Sequence, residues 1–299
     1  MKIEKIAALT GHNAPIYALA TGRDDRHFYS AGGDGWVVEW SLDSPELGRV
    51  VAEVGLPVFS LFFFKKENLL VAGDQNGGVR FIPLENPAAQ RHILHHKKGI
   101  FDIQFFDNQL FTLGGDGYLT RWDWASRRPL ESIRIAPKSL RCAIFLEKRR
   151  EIVVGASDGN LYFLDGDGLF LKNKIDAAHD PAVFCGVSFE EKNQLITGGR
   201  DAHLRFWELG NDPILMKTDL PAHLFTINHV VFVENWLVTA SRDRTLKIWD
   251  PATGELLKVV DTLRHGGHLR SVNRLLALPG GELVSAGDDR QGIIWQLSN

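Results

Sequence analysis

Seven stretches of this 299-residue chain align with one another without internal gaps, and that register limits the possible folds more than any other feature of the sequence. They are YSAGGDGWVVEW ending at Trp40, LVAGDQNGGVRFI ending at Ile82, FTLGGDGYLTRW ending at Trp122 and VVGASDGNLYFL ending at Leu164. ITGGRDAHLRFW ending at Trp207, VTASRDRTLKIW ending at Trp249 and VSAGDDRQGIIW ending at Trp295 complete the set. Each copy has Asp or Asn six residues before its closing residue, namely Asp34, Asn76, Asp116, Asp158, Asp201, Asp243 and Asp289. These turn residues are 42, 40, 42, 43, 42 and 46 residues apart.

Within a copy the local signals are those of strands. Val, Ile, Phe and Trp alternate with polar residues, and Gly/Asp/Asn clusters interrupt them every 8 to 12 residues. LVTASRDRTLKIWD reads as two strands joined at Ser241–Arg244. No intervening segment has the length and period of a βαβ crossover. No Gly/Ser-rich or Pro-rich linker divides the chain, so residues 1–299 are expected to form one domain. Antiparallel four-stranded units of about 40 residues bury their faces by radial stacking. The expected fold is therefore all-β, a seven-bladed β-propeller.

The chain resembles the WD-repeat family along essentially its whole length. The resemblance rests on Gly11-His12 and Gly267-His268, on the recurrent Asp turn, and on Trp122-Asp123 and Trp249-Asp250. It implies that the N-terminal strand completes the last blade. The segment Ile3 to Leu9, which precedes the first His without a blade of its own, is placed to pair beside the strand ending at Trp295.

A Ser/Thr, a His and an Asp recur together. His12, His96, His179, His223 and His268 lie 20 to 22 residues before a turn Asp, and Ser30, Thr112, Thr197, Thr239 and Ser285 lie four before it. One such set would suggest a hydrolase. Five sets, each with its own Trp40, Trp122, Trp207, Trp249 or Trp295, point to a structural element, because catalysis needs one site unlike its surroundings. The resemblance implies a network in which Trp donates to the hydroxyl, the hydroxyl meets His and His meets Asp. In the second repeat Val54, Ala72 and Ile82 replace the His, hydroxyl and Trp, and in the fourth Ala136, Val154 and Leu164 do so. Concerted loss fits a network that is worse half satisfied than absent. Asn76 and Asp158 are expected to remain as caps of their own turns.

Partner-binding positions follow from the same resemblance, which places them at fixed offsets around the channel mouth on the His-and-Asp face. Five residues after the His position come Tyr17, Phe59, Phe101, Arg141, Phe184, Asn228 and Asn273. Just before the turn residue come Gly33, Gln75, Gly115, Ser157, Arg200, Arg242 and Asp288, while small residues occupy the three-after positions. Strand alternation aims the first set away from the core-facing Ile16, Val58, Ile100, Val183, Ile227 and Val272. Aromatics beside arginines have the composition of binding hot spots and suit a protein or peptide bearing an apolar anchor and an acidic group.

Other classes fare worse. A propeller hydrolase acting at the channel mouth would need clustered His and carboxylates, yet the mouth offers Asp288, with Asp102 nearby and His229 as the unclaimed histidine. A single-stranded nucleic-acid binder would also use aromatics and arginine, but a net charge of −3 gives no basic footprint. No cofactor or metal is expected: Asp165-Gly166-Asp167-Gly168 lacks the later ligands of a calcium loop and reads as a hairpin turn, and His92 and His95 beside His96 make a poor metal site. Lys65-Lys66 and Lys148-Arg149-Arg150 read as solvated turns, and Trp36, just past a top-face turn, is a further candidate contact. With two cysteines, no long apolar run and no apolar leader, the chain is expected to be a cytoplasmic scaffold, monomeric on its own and without a membrane partner.

Overall fold

In the computed structural model, which describes residues 1–210 and 213–298, the strands form seven separate four-stranded antiparallel sheets. The first blade runs Ile16–Thr21, His27–Gly32, Trp36–Ser41 and Arg49–Glu53 from the channel outward. The next five begin at the inner strands Val58–Phe64, Ile100–Phe106, Leu140–Leu146, Val183–Phe189 and Ile227–Val233. In the seventh, Val272–Ala277, Glu282–Gly287 and Gly292–Ser298 are joined on the outside by the N-terminal strand Lys2–Leu9. Neighbouring inner strands touch all the way round, including Val272–Ala277 against Ile16–Thr21, so the ring is closed. Among the described residues no helix is long and apolar enough to cross a membrane.

Apolar alternation explains this arrangement. Each blade has two apolar faces, and the buried residues fall into seven clusters, one between each pair of adjacent blades. The ring therefore has no common core; it coheres pairwise. The second and fourth repeats bury Val54, Ala72, Ile82 and Ala136, Val154, Leu164 in these clusters.

The remaining five blades carry the polar network. Trp40 donates to Ser30 Oγ at 2.7 Å, Ser30 lies 2.7 Å from His12 Nε2, and His12 Nδ1 lies 2.8 Å from Asp34. Trp122–Thr112–His96–Asp116 has corresponding distances of 2.9, 2.8 and 3.1 Å. Trp207–Thr197–His179–Asp201 spans 2.8, 2.8 and 2.9 Å, and Trp249–Thr239–His223–Asp243 spans 2.9, 2.7 and 2.9 Å. Trp295–Ser285–His268–Asp289 completes the set at 2.8, 2.8 and 3.0 Å. All donors are satisfied when the hydroxyl donates to Nε2 and Nδ1–H donates to the carboxylate. The second carboxylate oxygen or its mate also accepts the backbone N–H after each histidine, in Asn13, Lys97, Asp180, Leu224 and Leu269. The network thus ties the loop entering each blade to its middle strands.

The second blade corrects the sequence reading. Asn76 is exposed and does not cap the turn; Asp74, two residues earlier and fully buried, accepts the N–H groups of Asn76 and Gly78 at 2.9 Å each. His92 Nε2 at 3.4 Å and Arg80 Nε at 3.9 Å face its other oxygen. In the fourth blade Asp158 does cap its turn, accepting Asn160 N–H at 3.1 Å and Tyr162 O–H at 2.7 Å. After the turn residue the backbone is left-handed, at Gly77 φ 90°; a Cβ there would meet His96 O at 2.1 Å. The Asp165 turn is a hairpin whose carboxylate accepts Asp167 and Gly168 N–H. Arg149 and Arg150 are not simply solvated: they pair with Glu151 and with Asp107 and Asp167.

Acid should loosen these networks. Burial pushes the imidazoles of His96, His179 and His223 below their ordinary 6.5. Burial alone would raise the carboxyls of Asp116, Asp201, Asp243 and Asp289, but hydrogen bonds from histidine and backbone more than offset it and hold them below 3.8. Both shifts are depressions, so the unfolded chain binds protons first. Their stabilising contribution is complete above 6.5 and is lost as pH falls, first through the histidines and then below 3.8 through the aspartates. Each pKa unit of depression is worth about 1.4 kcal/mol. Urea midpoints should therefore fall between pH 7 and pH 5, and a midpoint that held or rose would contradict this assignment.

Candidate functional site

The inner strands share one irregularity that shapes the top face. In all seven the ladder skips a residue: pairing passes from Ile16 to Ala18, Val58 to Ser60, Ile100 to Asp102 and Leu140 to Cys142. It likewise passes from Val183 to Cys185, Ile227 to His229 and Val272 to Arg274. The skipped residues are Tyr17, Phe59, Phe101, Arg141, Phe184, Asn228 and Asn273. A bulge leaves such a residue unpaired and re-aims its side chain. Here all seven, with Arg274, line one open cup of about 370 Å³ at the channel mouth.

The cup has two unlike halves. Tyr17 meets Phe59 edge-on at 5.4 Å between centroids, and Phe59 stacks on Phe101 at 5.5 Å with an interplanar angle of 4°. The Arg141 guanidinium then lies 4.1 Å above Phe101 and 5.0 Å from the ring of Phe184, extending the arc as a cation–π sandwich. Burial pushes the Tyr17 hydroxyl above its usual range, and Asp288 adds to this.

Across the mouth, Asn228 and Asn273 are occupied. Asn228 Nδ2 donates to Val272 O at 2.8 Å and Ser271 Oγ at 3.0 Å, and Asn273 Nδ2 donates to Ile16 O at 3.0 Å and Asp288 at 2.7 Å. Their amides brace neighbouring blades. Beneath them Arg274 reaches from the seventh blade to Asp102 of the third, Nη2 to Oδ1 3.8 Å, and forms the floor. Asp102 is buried, accepts Ala143 N–H at 2.9 Å, and is raised above the ordinary carboxyl value by that burial.

Charge on the mouth is positive. Arg141 bonds Ser157 Oγ through Nε at 2.7 Å, and among the described residues no carboxylate pairs with it. Its burial, with Arg200 nearby, lowers its pKa. Arg200 and Arg242 are exposed, their backbones held by Ala182 O and Thr226 O. Trp36 does not join the cup: it packs on the cluster between the seventh and first blades. Arg274 was missed by the offset rule, since it follows the bulge and only its length brings it back to the mouth.

The Ser/Thr–His–Asp sets lie outside this cup, with hydroxyls buried and already accepting a tryptophan N–H. The two cysteines, Cys142 and Cys185, are free and buried, with burial pushing the Cys142 thiol up to about 12.

Comparison with known proteins agrees with this architecture. The model of the WD domain, G-beta repeat, matches residues 3–41 and 215–250. The solved WD40 beta propeller domain of Doa1 superposes with a TM-score of 0.88 at 17% identity, over 100% of this chain and 98% of that one. The chain is a WD40-repeat propeller. Proteins of this family are mostly non-catalytic and typically act as protein-interaction scaffolds. The WD40 propeller is similar to the THO complex subunit 6 homolog of Danio rerio, 22% identical over 58% of the chain and 57% of that protein. It is also similar to WD repeat-containing protein 55 of Bos taurus, 27% identical over 54% of the chain and 43% of that protein. The matched part thus spans about half the length of these curated relatives.

Proposed function

We propose that this WD40 propeller is a non-catalytic scaffold whose top-face cup receives an extended peptide or loop of a partner protein. An apolar side chain of the partner rests against Tyr17, Phe59 and Phe101, and an acidic group faces Arg141 and Arg200. The observation that carries this reading is the arc of packed rings ending in a half-buried arginine that no carboxylate neutralises among the described residues. A desolvated cation without a counter-charge favours an anionic ligand, and aromatic and arginine anchors dominate interface energetics. Similarity to a protein named as a subunit of a complex also favours assembly with other proteins.

The test is affinity capture from native lysate with the wild type and a Tyr17→Ala, Phe101→Ala, Arg200→Ala variant that keeps a cooperative melt. Loss of hot-spot anchors costs about 2 kcal/mol or more, roughly thirtyfold in affinity. A partner retained equally by both chains would remove the cup from consideration.

A further inference from the structure

An open groove of about 660 Å³ lies on the opposite face, between the fifth and sixth blades. The a–b turns there follow Val183–Phe189 and Ile227–Val233, so both inner strands end at the groove in an aromatic residue or its neighbour. Phe189 and Phe232 meet at 5.1 Å between centroids and, with Trp236 and Leu257, supply its apolar surface. Its rim is acidic: Glu190, Glu191, Glu234 and Asp250 line it, against Lys192 as the cation among the lining residues.

We propose that this bottom-face groove docks an extended segment of a partner protein carrying arginine or lysine beside an apolar residue. Three observations fix that chemistry. Glu191 and Glu234 are exposed and have no ion-pair partner among the described residues, whereas Glu190 is engaged by the Glu147 N–H at 2.9 Å and lies 4.0 Å from Lys148 Nζ. Carboxylates around the half-buried rings of Phe189 and Phe232 select a cation, which the rings and the acids attract together. The third observation is Trp236. It is 9% exposed and packed into the core between the sixth and seventh blades, yet its indole N–H has no hydrogen-bond partner among the described residues. That N–H is not among the buried unpaired polar atoms, so it is open to an acceptor from a ligand seated in the groove. A peptide carbonyl supplies one, and an inorganic cation or a polyamine does not. The groove is opposite in charge to the top-face cup and independent of the reading given for it.

A bead-displayed library of random hexapeptides incubated with the full chain tests this directly. The wild type is expected to select sequences with Arg or Lys adjacent to an apolar residue. The best selected peptide, titrated into protein labelled with ¹⁵N-tryptophan, should shift the indole cross-peak that is absent from Trp236→Phe. Its affinity should fall at least tenfold in a Glu191→Lys, Glu234→Lys chain and severalfold in Trp236→Phe, and should be unchanged in Phe101→Ala. No selection, selection of acidic sequences, or binding lost in Phe101→Ala but kept in the glutamate variant would overturn the proposal.

Discussion

Deletion of residues 1–9 is expected to abolish the cooperative unfolding transition of the remaining chain. The strand Lys2–Leu9 pairs with Gly292–Ser298 from Lys2 opposite Ser298 to Leu9 opposite Gly292, and it forms the outer strand of the seventh blade. Its side chains serve two core clusters. Met1 and Ile3 pack on the cluster between the sixth and seventh blades, while Ala7 and the buried Leu9 belong to the one between the seventh and first. Removing it strips apolar cover from both sides of the seventh blade and leaves Gly292–Ser298 as an unpaired edge. Because cohesion is pairwise around the ring, no separate core compensates. Domain stability is about 5–15 kcal/mol in total, so loss of a whole strand at the seam is of comparable size. Thermal and urea melts read by tryptophan fluorescence would show it. A truncated chain melting within a few degrees of the parent would mean that the strand adds little to closure. Lys2→Ala, on the exposed side of the same strand, is expected to change stability by less than about 0.5 kcal/mol.

The second large effect is expected from Thr197→Val, a change of almost no volume. Thr197 is fully buried; its hydroxyl accepts Trp207 N–H and lies against His179 Nε2, each at 2.8 Å. Valine leaves the indole N–H and the imidazole Nε2 without partners, while Nδ1 keeps Asp201, at about 1–3 kcal/mol apiece, or about 2–6 kcal/mol together. The reciprocal change in the fourth blade should also destabilise. Val154 is fully buried among apolar neighbours, and Val154→Thr would bury a hydroxyl where Leu164 and Ala136 offer no side-chain partner. One substitution breaks a complete network and the other starts an incomplete one. Equilibrium urea unfolding of the pair decides this. If Thr197→Val cost under about 0.5 kcal/mol, the network would contribute little to folding.

The seven-bladed ring was readable from the sequence because each repeat carries the same local instruction at the same spacing. The seven cup-lining bulge positions could be found as well, by counting from the histidines. Simple strand alternation gave the right direction for Tyr17 and Phe101 but the wrong reason, since the ladder skips these residues instead of passing through them. Asp74 escaped notice because a gapless alignment puts Asn76 at the turn, while a carboxylate two residues earlier reaches the same N–H groups. Arg274 and Asp102 stand on blades far apart in the chain, and no local pattern announces an ion pair across a channel. Asn228 and Asn273 looked like free contacts; that their amides are taken by neighbouring backbone depends on how the blades meet. The bottom groove escaped for the same reason, being built from turns of two different blades.

The skipped residue in every inner strand has an evolutionary consequence. A side chain that contributes no rung to its sheet can be exchanged with little penalty to the strands on either side. Five such positions share one opening with Asn228 and Asn273, whose amides are committed to neighbouring blades, on a frame held rigid from elsewhere. A lineage could therefore change what this opening recognises one blade at a time, keeping each intermediate folded, with drift at the rim uncoupled from purifying selection on the ring.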